Sequence, residues 1–384
     1  MPTHVYLSPG MFGFGELASM SYFEHMTKAI SERFAARGRA VSLHVCDVHP
    51  TASIRRRAVR LARTIAETSG GSDDPIHICG HSTGGLDARL VASPTVHLPG
   101  VSAADFAWLS RLRSVTTLNT PHYGTPLAAF FATVSGQRVL YAVSALTVIA
   151  LKLGSPPLAA ASALLAALGR VTGAIELEVV ERTTESIIRV LDDASSRDLR
   201  EFLRLVRDDQ GAVVQLMPEA MDLFQAAVED RPGLRYQSVA SFAPGHAKAE
   251  WMSLLSPWNI VSAGIFTMLQ GITARQDPRY PCHAGDSEVR AKVLGMLGEL
   301  PPESASDGVV PVYSQVWGDL IWIGRADHLD TVGHFPGEAP RGKRAVHTDW
   351  LRSGARFDQV RFDTVMDRIV AGMLLGEETY RPTP

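Results

Sequence analysis

Residues 76–92 read IHICGHSTGGLDARLVA. A short apolar run leads into the turn GHSTGG, and a helical pattern of apolar residues follows from Leu86. On so sharp a strand-to-helix turn, side chains two positions before and after the serine would collide with neighbouring backbone, so glycine is needed at both. The segment therefore predicts Ser82 as a candidate catalytic nucleophile, on an elbow formed by Gly80, His81 and Gly84. The alternative is a glycine-rich turn that only packs a helix on a sheet.

The order of segments around this turn predicts the fold class. Helical patterns at 17–37 and 53–69 alternate with strand-like runs at 5–8, 41–46, 76–79 and 115–119. This alternation predicts an α/β fold with a mainly parallel sheet and helices on both faces. Two further strands and a closing helix are predicted at 234–241, 320–324 and 357–374. Such sheets carry their sites at the carboxyl ends of the strands.

The middle of the chain departs from this alternation. From about 127 to 232 it is rich in Ala and Leu and has no convincing strand. We predict a core made of 1–126 and 233–384, with 127–232 inserted as a helical cap, or lid. The runs 139–151 and 158–168 are apolar on nearly every helical face, so other surfaces must cover them. They are either buried between cap and core or belong to a lid that lines an apolar groove or touches lipid, and both can hold.

Composition is typical of a soluble globular enzyme. The 384 residues are 46% hydrophobic and 20% charged, with a formal net charge of −3. That charge gives no field to attract nucleic acid or an anionic membrane, so we expect no nucleic-acid partner. The clustered arginines lie in a helical pattern with inward-facing apolar positions, and we interpret them as a solvated helix face: Arg55, Arg56, Arg57, Arg60 and Arg63.

Cysteine usage and the amino-terminal sequence bear on the compartment. The three cysteines are an odd number, and Cys46 and Cys79 lie in apolar runs, which favours buried thiols over disulfides. Cys282-His283 has no second ligand pair at zinc-like spacing. The first twenty residues lack Lys, Arg and a long apolar stretch, so they are unlike a secretory signal. We expect a cytoplasmic location, or secretion if a signal was trimmed.

A serine nucleophile also needs two backbone N–H groups aimed at the developing oxyanion. These commonly come from the residue after the nucleophile and from the loop after an early strand, which here are Thr83 and Met11. The glycines of this loop allow close approach to a substrate, and Phe12 and Phe14 would add apolar surface to its pocket. The alternative interpretation of the loop is a simple tight turn.

The order nucleophile, acid, histidine expected for this elbow requires a histidine late in the chain. His328 follows the predicted strand 320–324 within a few residues, so we rank it first, with His334 second and His347 third. His122 sits too close to the preceding strand end. His246 and His283 precede the last candidate acidic loop.

The candidate acid is Asp307. It begins the segment Asp-Gly-Val-Val-Pro and leaves room for a short helix and one strand before His328. Asp327 adjoins the histidine and would point elsewhere, and Asp319 lies at the opposite end of the strand. A turn-forming Asp-Gly is the alternative role for Asp307.

Several separated segments resemble the bacterial triacylglycerol lipases of the true-lipase family, within the alpha/beta-hydrolase fold. The resemblance covers most of both core parts and is weak inside the cap. It rests on GMFGF at 10–14, SYF at 21–23, GHSTGG at 80–85, NTPHYGT at 119–125, LMPEAM at 216–221, SDGVV at 306–310 and DHLD at 327–330.

This resemblance implies a triad of Ser82, Asp307 and His328, with Met11 and Thr83 as oxyanion donors and ester hydrolysis as the reaction. The resemblance implies no cofactor for the chemistry. It does imply a possible structural calcium ion, because in the family an aspartate two residues after the catalytic histidine binds calcium. Asp330 matches that position. The second aspartate ligand has no clear counterpart, although Asp277 and Asp286 are near in sequence.

Two departures from the family pattern widen the range of functions. Pro9 replaces the histidine usual before the oxyanion glycine, and neither a signal peptide nor a disulfide pair is present. An intracellular esterase that acts on small or lipid acyl esters, or on a storage polyester, fits as well as a secreted lipase. The alternatives are acyl transfer by the same triad and, least favoured, a non-catalytic binding module. The cap would give a lipid enzyme its transient contact with a lipid surface.

Overall fold

In a computed structural model of the chain, the structure describes residues 2–11, 16–71, 73–153, 162, 193–244, 257–337, 349 and 351–380. Its centre is a six-stranded sheet in the order β2-β1-β3-β4-β5-β6, in which every neighbouring pair is parallel. The strands are β1 (Thr3–Ser8), β2 (Val41–Val45), β3 (Ile76–His81), β4 (Leu112–Leu118), β5 (Arg235–Phe242) and β6 (Asp319–Arg325). All six predicted strands are present.

Helices cover this sheet. The helix α1 (Glu16–Ala35) packs against the last helix, and α2 (Ile54–Thr68) packs against α3 (Thr83–Ala92). The others in the described residues are α4 (Pro126–Phe131), α5 (Val134–Leu153), α6 (Asp193–Asp208), α7 (Gly211–Gln215), α8 (Pro218–Ala227), α9 (Pro257–Thr273), α10 (Ser287–Leu297) and α11 (Gln359–Thr379). Every residue of β1 and β3 is buried, as expected of a parallel sheet with both faces covered. The predicted α/β fold is confirmed.

Capping side chains and a glycine define several helix ends. The Ser53 side chain accepts a hydrogen bond from the Arg56 N–H and caps α2. Asp286 caps α10 in the same way through the Val289 N–H, and the helix ends at Gly298 in the left-handed conformation. Asp358 caps α11. The helix boundaries therefore follow from residues that the sequence places at the ends of the periodic patterns.

One prediction about α2 is wrong. Four of its clustered arginines are exposed, as expected, but Arg57 is buried. Ile54, Ala58 and Leu61 form the buried side of the helix, and Arg57 lies three residues after Ile54 on that side. A buried partner, Asp87 of α3, compensates its charge.

The predicted cap is only partly covered by the described residues. Between 127 and 232 these residues form the helices α4 to α8, and the run 139–151 lies in α5. The run 158–168 falls almost wholly outside the described residues. None of the helices described is long and apolar enough to cross a membrane. The domain limits at 126 and 232, and a lid function, stay predictions.

Parallel strands bring distant parts of the chain to one edge of the sheet. Residues 9–11 follow β1, Ser82 follows β3, and Asn119 follows β4. Asp307 lies in the connection between β5 and β6, and His328 follows β6. The predicted site residues in the described parts of the chain thus gather at the carboxyl edge.

Candidate active site

Ser82 stands on a strained turn between β3 and α3. Its φ is 53° and its ψ is −127°, a conformation that costs energy for a residue with a side chain. Its N–H donates to the Leu118 carbonyl at 2.8 Å, which ties the turn to β4. A Cβ at Gly80 would lie 2.2 Å from the Gly84 oxygen, and one at Gly84 would lie 2.0 Å from the Ser8 oxygen. The tight packing of this turn therefore requires both glycines.

Asp307 and His328 form a buried pair. Oδ2 of Asp307 lies 2.7 Å from Nδ1 of His328. The other carboxylate oxygen accepts hydrogen bonds from the N–H groups of Val309 and Val310, at 2.9 and 2.7 Å. With the carboxylate ionised, Nδ1 of His328 carries the proton and Nε2 keeps a free lone pair. This is the tautomer that a general base requires.

Backbone contacts place His328 next to the elbow. Its N–H donates to the Asp307 carbonyl at 3.0 Å, and its carbonyl oxygen lies 2.7 Å from Nε2 of His81. The rings of His81 and His328 are 4.7 Å apart. Since His81 directly precedes Ser82, the acid, the histidine and the serine meet in one small region.

The proton positions on His81 follow from its two partners. A carbonyl can only accept, so Nε2 carries the proton that is donated to His328. Nδ1 then accepts from the hydroxyl of Tyr22, 2.5 Å away. Burial, then the neighbouring His328, lowers the pKa of His81 well below its usual value. His81 is therefore neutral and acts as a fixed bridge between Tyr22 and the loop of His328.

The two predicted oxyanion donors flank Ser82. Thr83 is the first residue of α3, so its N–H is among those without a partner inside the helix, at the positive end of the helix dipole. Met11 belongs to the loop after β1, which passes directly over the serine. A Cβ at Gly10 would lie 2.7 Å from Cβ and 3.2 Å from Oγ of Ser82.

An apolar cavity of about 30 Å³ opens beside Ser82. Its walls come from the loop after β1, the segment after β4, α4, the short helix α7 and the loop after Asp307. Apart from Ser82 and Thr125, its lining residues are apolar: Met11, Pro121, Leu127, Ala128, Phe131, Val213, Leu216, Val309 and Val310. Helices from the predicted cap region therefore cover the candidate nucleophile.

The other predicted residues have different surroundings. His334 ranked second, but its Nε2 donates to the Tyr22 carbonyl at 3.0 Å. His122 is buried near Arg89, and the ring of His283 stacks on Tyr123 with centroids 3.6 Å apart. The pocket residues and two histidines of the sequence analysis lie outside the described residues: Phe12, Phe14, His246 and His347.

Asp330, the candidate calcium ligand, is buried. Its Oδ2 accepts the Asp327 N–H at 2.7 Å, and its Oδ1 has no hydrogen-bond partner among the described residues. Burial, followed by repulsion from Asp327 and Asp349, raises the pKa of Asp330 well above its usual value. Burial and the carboxylate of Asp307 raise the pKa of Asp327 to about 7, and burial and Asp327 raise that of Asp349 to about 8. The carboxylates therefore hold protons more strongly here than in water.

These residues do not by themselves form a calcium site. Among the described residues, no group of three or more His, Cys, Asp or Glu side chains is arranged to hold a metal ion. Calcium takes six to eight oxygen ligands. Of the two aspartates near in sequence, Asp277 binds Arg279 and Asp286 caps α10, so both carboxylates already have partners in the structure. Calcium stays a prediction, and no catalytic step depends on it.

Three residues that hold the site in place were not predicted from the sequence. Asn119 donates to Asp307, Tyr22 bonds to His81, and Arg57 donates to the Pro9 carbonyl in the loop after β1. Asn119 and Tyr22 lie in segments that carry the family resemblance, but nothing in the sequence shows what their side chains contact. Arg57 was hidden among exposed arginines.

Comparisons with known proteins bear on the fold. No family model and no curated protein matches the sequence. EstA from Clostridium botulinum is similar in structure with a TM-score of 0.50 and 17% identity, over 100% of this chain and 89% of that one. Lipase 1 from Pelosinus fermentans gives a TM-score of 0.52 and 14% identity, over 100% of this chain and 99% of that one. The chain has the alpha/beta-hydrolase fold. At such low identity the likeness concerns the fold alone.

Proposed function

We propose that the protein is a serine hydrolase that cleaves carboxylic (acyl) esters, of the lipase or carboxylesterase type. The observation that carries the proposal is the Asp307–His328 pair, with 2.7 Å between Oδ2 and Nδ1, beside the strained elbow of Ser82. A histidine held by a buried carboxylate next to an elbow serine is the arrangement that activates a hydroxyl for attack on a carbonyl. The lipase from Pelosinus fermentans, which shares the fold, agrees with an ester substrate.

In this mechanism Ser82 Oγ attacks the ester carbonyl while Nε2 of His328 takes its proton. Asp307 keeps the imidazole oriented and stabilises its charged form. The protonated histidine then gives its proton to the departing alcohol, which leaves an acyl group on Ser82. Water, deprotonated by His328, releases the acid and restores the serine.

The N–H groups of Met11 and Thr83 would hold the oxyanion of each tetrahedral intermediate. Each such donor is worth roughly 3 kcal/mol of barrier lowering in comparable enzymes. The helix dipole of α3 adds to the effect at Thr83. The strain at Ser82 fits this role, because a nucleophile on such an elbow would be presented to the two donors.

The cavity beside Ser82 supports an aliphatic acyl group as the part of the substrate that is recognised. Its walls are almost entirely apolar, which disfavours charged or sugar-like acyl groups. Its volume of about 30 Å³ has room for no more than a few water molecules, since a cavity of about 10–15 Å³ on the same measure holds one. We therefore propose short acyl chains as the preferred substrates, with longer chains requiring α4 and α7 to separate.

Ser82→Ala tests the nucleophile. We expect the variant to keep its fold, to lose turnover of nitrophenyl esters, and to lose labelling by a fluorophosphonate. Ser110→Ala, at an exposed serine, is the matched control and keeps both activities. If Ser82→Ala is still labelled, the nucleophile lies elsewhere. Product analysis with a competing alcohol separates hydrolysis from acyl transfer, since a hydrolase gives mainly the free acid.

A further inference from the structure

Two buried side chains contact the Pro9–Gly10 segment. Nη2 of Arg57 donates to the Pro9 carbonyl at 2.5 Å. The hydroxyl of Tyr22 packs against Gly10, since a Cβ at Gly10 would lie 3.3 Å from it. The C=O of Pro9 and the N–H of Gly10 belong to one rigid trans peptide plane. The hydrogen bond at the carbonyl and the contact at Gly10 therefore limit the rotation of that plane.

Arg57 is itself held rigidly. Its side chain is fully buried, and its Nε and Nη2 bind the carboxylate of Asp87 at distances of 2.8 to 3.2 Å. Nη1 donates to the carbonyls of His49 and Pro50 at 2.9 and 3.1 Å. Asp87 also accepts from the Ser8 hydroxyl at 3.0 Å, next to the clamped peptide.

The buried ion pair of Arg57 and Asp87 is better explained by positioning of the loop after β1 than by stability. Moving an ion pair out of water often costs as much free energy as the pairing contributes, so this pair adds little net stability. The planar guanidinium, however, presents several donors in a fixed geometry. Here it connects the ends of two strands and two helices to a single carbonyl of the oxyanion loop.

Tyr22 links the same peptide to the rest of the site. Its hydroxyl packs against Gly10 and donates to Nδ1 of His81, whose Nε2–H donates to the His328 carbonyl. The hydroxyl is buried and gives its proton to His81. Tyr22 and His81 thus connect the loop of Met11 to the loop of His328.

We propose that Arg57 and Tyr22 are positioning residues that clamp the Pro9–Gly10 peptide and so aim the Met11 N–H at the oxyanion. Gly10 has no side chain and rotates freely, and a Cβ there would lie 2.7 Å from Cβ of Ser82. The loop cannot gain rigidity from a larger residue at that position, so the preceding peptide supplies it. This inference rests on the proposed ester hydrolysis.

Tyr22→Phe and Arg57→Lys test the clamp. The first removes only the hydroxyl; the second keeps a charge for Asp87 but loses the planar fork. Tyr6→Phe, a buried tyrosine bonded to Thr68, and Arg33→Lys, which binds Asp363 and Asp367, are the matched controls. For each variant we would measure kcat per titrated active site, KM, and the Ki of a trifluoromethyl ketone, whose adduct places an oxyanion between the donors.

We expect kcat to fall about tenfold to a hundredfold in both clamp variants, because small displacements of a catalytic group cost rate on this scale. Ki should rise by a similar factor while KM stays unchanged, and the controls should match the wild type. A fall in melting temperature with unchanged kcat and Ki would overturn the proposal. If Arg57→Lys fails to fold, Tyr22→Phe decides alone. A wild type with neither turnover nor Ser82 labelling would overturn the ester-hydrolase proposal, and this inference with it.

Discussion

The side-chain amide of Asn119 donates a hydrogen bond of 2.9 Å to Oδ2 of Asp307. The same oxygen pairs with Nδ1 of His328, so the amide and the imidazole meet at one atom. Asn119 is held in turn by the hydroxyl of Thr331, which donates to its Oδ1 at 2.5 Å. Asn119 therefore limits the rotation of the carboxylate that orients the histidine.

We expect Asn119→Ala to reduce kcat about tenfold and the free energy of unfolding by about 1.5–3 kcal/mol, since a hydrogen bond to a buried charge is worth that much. Alanine also tolerates the φ of 49° less well than asparagine does. Steady-state kinetics and urea unfolding measure the two effects. Thr331→Val, which leaves the amide in place, should lose less of both. Wild-type kcat in Asn119→Ala would remove this residue from the site.

Local pattern was sufficient to predict the sheet. The run 76–79 forms the first four residues of β3, and the glycines of the next turn fit the packing around Ser82. Strand alternation then assigned Asp307 and His328 to loops at one edge. These inferences needed only residue period, turn chemistry and chain order.

The hydrogen bonds that hold Asp307, His328 and the elbow in place could not be predicted from the sequence. Asn119 and Asp307 are 188 positions apart, and Tyr22 and His81 are 59 apart, so no periodic pattern links them. Arg57 shows the limit most clearly. Because Arg57 is one of five clustered arginines, we interpreted it as part of a solvated helix face. Its position three residues after Ile54, however, places it on the buried side of α2. Only the folded chain brings Asp87 to it.

Phe131 should limit the length of the acyl chain. Its buried ring, on α4, forms part of the cavity wall beside Ser82. We expect Phe131→Ala to enlarge the cavity and shift the preference in a nitrophenyl ester series toward longer chains. It should also cost about 3–5 kcal/mol of stability, as is usual for deleting a buried aromatic ring. Phe130→Ala, at the half-buried neighbour outside the cavity lining, should leave the preference unchanged. Identical chain-length profiles for all three proteins would contradict this assignment.

Asp330, Asp327 and Asp349 should make the protein less stable as the pH rises. Their pKa values are raised in the native state, so the native state holds protons that the unfolded state releases above about pH 4. Stability from this source is complete below that pH and is lost as the pH rises to about 8, by about 1.4 kcal/mol per pH unit for each proton held. Burial of the charged forms is the main cause, followed by repulsion from neighbouring carboxylates, which for Asp327 is that of Asp307.

Asp330→Asn removes one of these charges, so it should raise stability at pH 8 and flatten the decline between pH 5 and pH 8. Urea unfolding at several pH values measures both. Asp319→Asn, at an exposed aspartate paired with Arg235, should leave the slope unchanged. Adding calcium to the same measurement tests whether Asp330 binds the ion. A bound ion would raise the stability of the wild type at pH 8, and a chelator would reverse the increase. Neither addition should change the stability of Asp330→Asn. Equal slopes in wild type and Asp330→Asn would show that the carboxylates do not interact as the structure implies.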